Sequence, residues 1–208
     1  MTTRPLSKGE QTRQKLLDLA EDAVLAKGYA ATSIEELIAA AGITKSGFFY
    51  HFKDKNELAL ALIKRYIERD DVIYDELFAK AEALSEDPLH AFLIFLKLLA
   101  EVFEDLPNGH PGCVVAVSCY QEQLFNQDVR ALTTFAMMNW RKRFRARLDA
   151  IVAKYPPKVE VDLDSLADMM SVVADGGIVA SKALKQPRIL RDQLLLYRQF
   201  VRLVFQGP

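Results

Sequence analysis

Residues 44–47 carry groups that could contact nucleic acid. Thr44, Lys45 and Ser46 offer hydrogen-bond donors and acceptors, and Gly47 has no side chain to hold the backbone away from a partner. Groups of this kind recognise base edges when a helix presents them in the major groove of DNA. These residues therefore predict sequence-specific binding to duplex DNA.

Two short helices are predicted to position this segment. Ser33 and Glu36 have the spacing of a capping box, and apolar residues then recur at helical spacing. Gly42 is expected to end this first helix, and Thr44 is expected to cap a second helix that ends near His51. Two helices joined by such a turn form a helix-turn-helix, whose second helix can enter the major groove.

The stretch TSIEELIAAAGITKSGFFYHFKDKNEL, residues 32–58, resembles the DNA-binding signature of the tetracycline-repressor (TetR) family of bacterial transcription regulators. The resemblance covers roughly residues 10–60, and the rest of the chain agrees with the family in length and helical organisation. One position departs from the family pattern. Phe49 stands where the family usually has Tyr, so a phosphate-bonding hydroxyl is absent there.

The resemblance implies two sets of DNA contacts. The residues implied to contact bases are Thr44, Lys45, Ser46 and Gly47. The residues implied to contact phosphates are Thr32, Tyr50, His51 and Lys55. The resemblance also implies a repressor that binds a palindromic operator and is released by a small molecule.

The whole chain is predicted to be all-α, with about nine helices. Residues 1–54 form the expected DNA-binding domain, in which a first helix precedes the helix-turn-helix. Residues 55–208 form the expected effector-binding and dimerisation domain, which starts with a helix of roughly 28 residues. Further helices are predicted over residues 88–104, 113–125, 127–155, 163–184 and 188–204.

The last two predicted helices indicate a homodimer. Apolar residues surround most of the final helix, which therefore needs burial on several sides. Gly176 and Gly177 in the preceding helix permit a close approach of helices. Two such helices from each subunit would form a four-helix bundle with two-fold symmetry.

A small, largely apolar effector is expected to bind among the central helices, because ligand pockets are usually apolar with a few polar groups. The candidate ligand-binding residues are Phe92, Phe103, Cys113, Tyr120, Phe135, Trp140 and Phe144. Each aromatic residue taken singly is more typical of core packing. Two charged runs, residues 64–71 and 141–147, are interpreted as solvated helix faces, and a second DNA site in the latter run is the weaker alternative.

Two alternative functions remain open from the sequence. Cys113 begins a predicted helix, whose dipole favours a reactive thiolate, so the chain could be a repressor that senses oxidants or electrophiles. A small buried hydrophobic residue is the commoner role of a free cysteine. The other alternative is a helical small-molecule-binding scaffold without DNA binding.

Composition excludes other classes of protein. The formal net charge of −1 is ordinary, and the basic character is concentrated in residues 42–55, with three Lys and one Asp. The three His residues lack metal-ligand spacing, and no catalytic motif is present, so an enzyme, a metal and a cofactor are not expected. The absence of a leader or membrane span and the two Cys residues predict a cytoplasmic protein. The final FQGP could be native or part of a tag.

Overall fold

The structure, a computed structural model, describes residues 4–207 of the 208-residue chain. Within these residues the chain forms nine α-helices, a short 3₁₀ turn at Glu122–Leu124 and no β-strand, which confirms the all-α prediction. In the described part no helix is long and apolar enough to span a membrane. The helices are α1 (Lys8–Ala31), α2 (Ile34–Ala41), α3 (Lys45–His51), α4 (Lys55–Leu84), α5 (Pro88–Glu104), α6 (Val114–Tyr120), α7 (Gln127–Val152), α8 (Leu163–Leu184) and α9 (Arg188–Gln206).

Most helix bounds agree with those predicted from the sequence, and α6 is the main exception. The prediction of one helix over residues 113–125 was wrong, because α6 ends at Tyr120. Gln121 leaves the helical conformation with φ −122° and ψ 27°, and the 3₁₀ turn follows. The side chain of Gln121 instead makes hydrogen bonds to the end of α1, which residues at helical spacing could not reveal.

The described chain divides into two units. The first contains the residues up to Glu68 together with Cys113–Phe135, and the second contains Arg69–Gly112 and the residues from Ala136 onward. Helices α4 and α7 therefore each contribute to both units. The predicted functional division after residue 54 stays a prediction.

In the first unit, α1 packs against α2 and α6. Helix α1 begins with a capping box, in which the N–H of Glu10 donates to Ser7 Oγ at 3.3 Å and the N–H of Ser7 donates to Glu10 Oε2 at 2.7 Å. The buried face of α1 includes Leu16, Leu17 and Ala20. Through this packing, α1 supports the helix-turn-helix.

Arg65 joins α4 to α1 in the first unit. Its guanidinium donates to Asp18 Oδ1 and to Glu21 Oε2, each at 2.6 Å, and its side chain is only 21% exposed. The prediction that residues 64–71 form a solvated face was therefore wrong for Arg65. Planar guanidinium groups bind two carboxylates well, so this residue links helices rather than facing solvent.

In the second unit, α9 packs against α5 and α8. The hydroxyl of Tyr197 in α9 donates to the carbonyl of Leu166 in α8 at 2.8 Å. A Cβ at Gly177 would lie 3.0 Å from the Cα of Leu190, so glycine permits α8 and α9 to approach there. Aromatic rings pack between α4 and α5 in the same unit, where the rings of Phe78 and Phe95 stack with 3.8 Å between their centroids.

The basic run at residues 141–147 forms ion pairs within the second unit. Arg143, with a side chain 15% exposed, donates to Asp71 Oδ1 at 2.7 Å, so the predicted solvated face was wrong here. The carboxylate partners lie on α4, α7 and α8: Arg141 pairs with Asp168, Arg143 with Asp71 and Asp75, Arg145 with Asp149 and Asp164, and Arg147 with Glu82.

Phe135 lies outside the buried stripe of α7. Approximate helical spacing predicts that Phe135 lies on the buried side with Trp140 and Phe144, and this prediction is wrong, because Phe135 is 57% exposed. Residues three and four apart define one helix face, and an adjacent residue points about 100° away. The buried stripe includes Val129, Thr133, Ala136, Trp140, Phe144, Leu148 and Ile151.

Asp87 caps α5 and ties it to the end of α7. Its Oδ1 accepts the N–H groups of Leu89 and His90 at 3.1 and 3.0 Å, and its Oδ2 accepts from Lys154 Nζ at 2.7 Å and Tyr155 Oη at 2.6 Å. Burial raises the pKa of the Asp87 carboxyl, but these hydrogen bonds outweigh burial and hold the pKa well below its ordinary value. The ionised form is thus favoured by folding.

Asp87→Asn should lower the free energy of unfolding by about 1–3 kcal/mol at pH 7, because the ionised acceptor of these hydrogen bonds is lost. A depressed pKa stabilises the fold above the unfolded-state pKa of about 4, and this contribution disappears as the pH falls toward the folded-state value. Urea denaturation should show the difference between wild type and variant shrinking below about pH 4. Glu86→Gln, at an exposed neighbour, should stay within about 0.5 kcal/mol of wild type throughout. A difference for Asp87→Asn that is the same at pH 3 and pH 7 would contradict this linkage.

Candidate nucleic-acid interface

The turn between α2 and α3 has the predicted geometry. The N–H of Glu36 donates to Ser33 Oγ at 3.1 Å at the start of α2. Gly42 ends α2 with φ 69° and ψ 37°, and its N–H donates to the carbonyl of Ile38 at 3.1 Å. Lys15 of α1 donates to the carbonyl of Ala41 at 2.9 Å, a favourable position for a cation at a helix C-terminus. These contacts fix where α3 begins.

Thr44 caps α3 and exposes its first turn. The N–H of Gly47 donates to Thr44 Oγ1 at 3.1 Å, and the hydroxyls of Thr44 and Ser46 lie 3.0 Å apart. Thr44, Lys45 and Ser46 are all exposed, whereas Gly47 is half-buried. The structure thus brings together the four residues implied to contact bases at one end of a short helix.

Two buried phenylalanines determine which side of α3 faces outward. Phe48 and Phe52 are fully buried, with ring centroids 5.8 Å apart. The guanidinium of Arg13 in α1 lies 5.0 Å from the Phe52 ring centroid, which adds a cation–π contact. Because α3 has only seven residues, burial of this pair leaves the opposite side to solvent.

The residues implied to contact phosphates differ in accessibility. Tyr50 is 81% exposed, and its ring lies 5.0 Å from the half-buried ring of His51. Phe49 is 43% exposed, so the position that lacks the tyrosine hydroxyl of the family pattern is partly exposed. Thr32 is 2% exposed and its hydroxyl donates to the carbonyl of Gly28 at 2.9 Å, an arrangement that disfavours a phosphate contact by this side chain.

Lys55, the remaining implied phosphate contact, lies at the start of α4. Its half-buried ammonium donates to the carbonyl of Tyr29, and burial lowers the pKa of the Lys55 amine. An ammonium has three donors, so this bond leaves donors for a second acceptor. The phosphate role of Lys55 stays a prediction.

Gln121 is a structural residue of this unit that no motif in the sequence indicates. Helix α1 breaks at Gly28, where φ is 81°, and the carboxamide of Gln121 occupies the space beside it. Gln121 Oε1 accepts the N–H of Tyr29 at 2.8 Å and the N–H of Ala30 at 3.3 Å. The Lys27-Gly28 signal predicts the end of a regular helix, but no local pattern indicates a partner some ninety residues away.

The candidate ligand-binding residues differ in burial. Phe92 and Phe144 are 1% exposed, Trp140 is 5% exposed, and the Phe103 ring lies 5.3 Å from the ring of His110. Tyr120 is 83% exposed. Among the seven candidates, Phe92 borders a cleft in the second unit, and the ligand role of all seven stays a prediction.

The cleft that Phe92 borders has a volume of about 390 Å³. The guanidinium of Arg147 lies 4.4 Å from the centroid of the Phe78 ring and pairs with Glu82 at 3.3 Å. This cleft thus combines aromatic walls with a few charged groups. The lining residues are Phe78, Glu82, Ser85, Glu86, Pro88, Ala91, Phe92, Ala146, Arg147 and Ala150.

Cys113 occupies the N-cap of α6. It is 7% exposed, and its Sγ accepts the N–H of Ala116 at 3.4 Å. Cys119 is exposed near the end of α6. A buried Sγ fits the packing interpretation of Cys113 better than a thiol open to oxidants in solution.

Known proteins show a consistent similarity to this chain. The profile of the family described as bacterial regulatory proteins, tetR family, matches residues 16–62. A probable HTH-type transcriptional regulator ArpR of Pseudomonas putida is 32% identical over 85% of this chain and 82% of the relative. HTH-type transcriptional regulator TtgR, also of Pseudomonas putida, is 31% identical with the same coverage. The fold also matches the crystal structure of regulatory protein TetR from Rhodobacter sphaeroides, with TM-score 0.75, 22% identity and coverage of 90% of this chain and 97% of that chain.

Gln121→Ala should lower the free energy of unfolding by about 1–3 kcal/mol, because the N–H groups of Tyr29 and Ala30 lose their acceptor in a part-buried site. Urea denaturation followed by circular dichroism measures this change. Gln123→Ala is the matched control, since Gln123 is exposed in the adjoining 3₁₀ turn, and should change stability by less than about 0.5 kcal/mol. Equal effects of the two substitutions would show that the Gln121 hydrogen bonds contribute no stability.

Proposed function

This chain belongs to the tetR family of bacterial regulatory proteins, and from that premise we propose that it is a ligand-responsive repressor that binds a near-palindromic operator as a dimer. Its relatives are transcriptional regulators and not enzymes, and DNA binding is the function of the family. One observation carries the proposal. The first turn of α3 is exposed and polar, while Phe48 and Phe52 hold the helix by its opposite side.

In the proposed complex, α3 enters the major groove. Thr44, Lys45 and Ser46 would meet base edges, and Gly47 would allow the backbone to approach. Tyr50, which is 81% exposed, would donate its hydroxyl to a phosphate and so fix the register. Binding of bacterial DNA implies a cytoplasmic location.

Lys45→Ala should weaken operator binding about tenfold or more, because a base-contacting side chain contributes about 1–3 kcal/mol of discrimination. Fluorescence anisotropy with operator DNA and with scrambled duplex measures both affinity and selectivity. The matched control is Lys142→Ala, which removes an exposed lysine from the basic run of α7.

The control also tests the alternative second DNA site at residues 141–147. Operator affinity should stay within twofold for Lys142→Ala at the same salt concentration. Equal losses for the two lysine variants would contradict binding through α3, as would a wild-type protein that does not distinguish operator from scrambled DNA.

Exposed apolar side chains on α8 and α9 support a homodimer. Leu196, Phe200 and Leu203 lie on one side of α9 and are 58%, 38% and 43% exposed. Val172 and Val179 of α8 are also more than half exposed, and they flank a glycine whose Cβ position is open. Pairing these stripes across a two-fold axis would bury them in a four-helix bundle, with recognition helices about 34–36 Å apart.

Leu196→Glu should convert the dimer to a monomer at micromolar concentration, because the carboxylate would lose its hydration in an apolar interface. Light scattering after size-exclusion chromatography gives the mass. Leu84→Glu is the matched control, since Leu84 is 70% exposed at the end of α4, and it should keep the dimer mass. A wild-type protein with monomeric mass would contradict the proposed dimer.

The proposed effector is small and largely apolar, and the cleft of about 390 Å³ supports a binding site near Phe92. The 30-residue helix α4, about 45 Å long, contributes side chains to this cleft and begins beside the DNA-binding helices. If an effector prefers a state with misplaced recognition helices, it must weaken DNA binding by the same free energy. Helix α4 is the element through which we propose that the two events are linked.

A further inference from the structure

A second cleft lies entirely within the first unit, and the proposed effector site does not include it. Its volume is about 240 Å³. It is bordered by the break in α1, the start of α4 and the turn between α6 and α7. The lining residues are Tyr29, Ala30, Lys55, Asn56, Leu124 and Phe125.

The walls of this cleft are apolar and held in place. The rings of Tyr29 and Phe125 meet edge to face at 4.8 Å, and both residues are buried. Leu124 is 44% exposed and offers apolar surface at the opening. Asn56 Oδ1 accepts the N–H of Asn126 at 3.0 Å, so α4 is tied to the turn that carries Leu124 and Phe125. A ligand would therefore meet a preformed surface.

The cleft also contains a half-buried cation. Lys55 Nζ donates to the carbonyl of Tyr29, which is neutral, and burial lowers the pKa of the Lys55 amine. The remaining ammonium donors of Lys55 and the amide N–H groups of Asn56 can bind an anion. Pairing a partly desolvated ammonium with a carboxylate gives a charge-assisted hydrogen bond, which is stronger than a bond to a neutral acceptor.

We propose that this cleft binds a small aromatic carboxylate, with its ring against Leu124 and Phe125 and its carboxylate on the ammonium of Lys55. The volume is below the range of about 300–1,000 Å³ typical of drug-sized ligands, so one or two fused rings are the matching size. Both parts of the ligand are needed. The ring packs against the apolar wall, and the carboxylate accepts a hydrogen bond from the ammonium of Lys55.

Occupation of the cleft has a consequence for DNA binding, which rests on the proposed function. Lys55 is an implied phosphate contact, and a carboxylate on its ammonium would compete with that phosphate. By linkage, the aromatic acid and the operator would weaken each other's binding by the same factor.

The binding experiment uses the full-length protein without DNA. Titration with 2-naphthoate, followed by isothermal calorimetry or ligand-observed NMR, should give saturable binding. The neutral analogue 2-naphthalenemethanol and the ringless anion acetate should each bind at least tenfold more weakly. Equal binding of naphthoate and the alcohol would overturn the role of the carboxylate, and no binding of naphthoate up to its solubility limit would overturn the site.

Two lysine variants test whether the acid binds in the cleft. Lys55→Met should weaken naphthoate binding about tenfold or more, to the level of the alcohol, since a charge-assisted hydrogen bond is lost. Lys53→Met is the matched control, because it removes an exposed positive charge two residues away that does not line the cleft, and it should change binding less than twofold. Equal losses for the two variants would overturn the site in favour of general electrostatic attraction.

Leu124→Glu gives a test that leaves Lys55 intact. A carboxylate at this partly exposed position should repel naphthoate, and the exposed position allows the variant to fold, as thermal melting followed by circular dichroism will verify. Naphthoate affinity unchanged in this variant and in Lys55→Met would overturn the proposal. Operator release by naphthoate is a separate measurement: binding in the cleft with unchanged operator affinity would overturn the competition at Lys55, while failure of the protein to bind any operator would count against the proposed function alone.

Discussion

The break in α1 at Gly28 creates a local constraint that determines the packing of the first unit. Two N–H groups beyond the break, those of Tyr29 and Ala30, find their acceptor in the side chain of Gln121. The carbonyl of Tyr29 accepts from Lys55 at the start of α4. Because an unpaired buried donor costs about 1–3 kcal/mol, α6 and α4 are both held at this turn. The helix-turn-helix is therefore positioned by elements that lie outside its own sequence.

The sequence alone predicts the local geometry of the recognition helix. Capping by Ser33 and Thr44 and the left-handed Gly42 depend on residues within four positions of each other, so their spacing carries the information. The burial of Phe48 and Phe52 follows from their helical spacing in the same way. The four residues implied to contact bases are brought together for this local reason.

Interactions between distant segments could not be predicted from local patterns. Arg65 and Arg143 lie in charged runs that have the periodicity of a solvated face, yet each donates to a carboxylate on another helix. Gln121 is an ordinary polar residue until the fold brings it beside Gly28. Phe135 shows that approximate helical spacing can assign a residue to the wrong face. It is next to the buried Ala136, and its side chain points about 100° away from that residue's direction. The partner of a side chain is set by tertiary packing, which periodicity does not encode.

These ion pairs also explain how a chain with a net charge of −1 can bind DNA. The arginines of residues 141–147 pair with carboxylates inside the second unit, so their positive charge is balanced locally and contributes little to a field around the molecule. At α3 the balance differs, because the exposed Lys45 lies between the uncharged residues Thr44 and Ser46. The net charge sums both regions, so it does not reveal the exposed positive charge at α3. A DNA-binding surface built from a few exposed donors gains its affinity from base contacts as well as phosphates, and so its affinity should fall only modestly with salt.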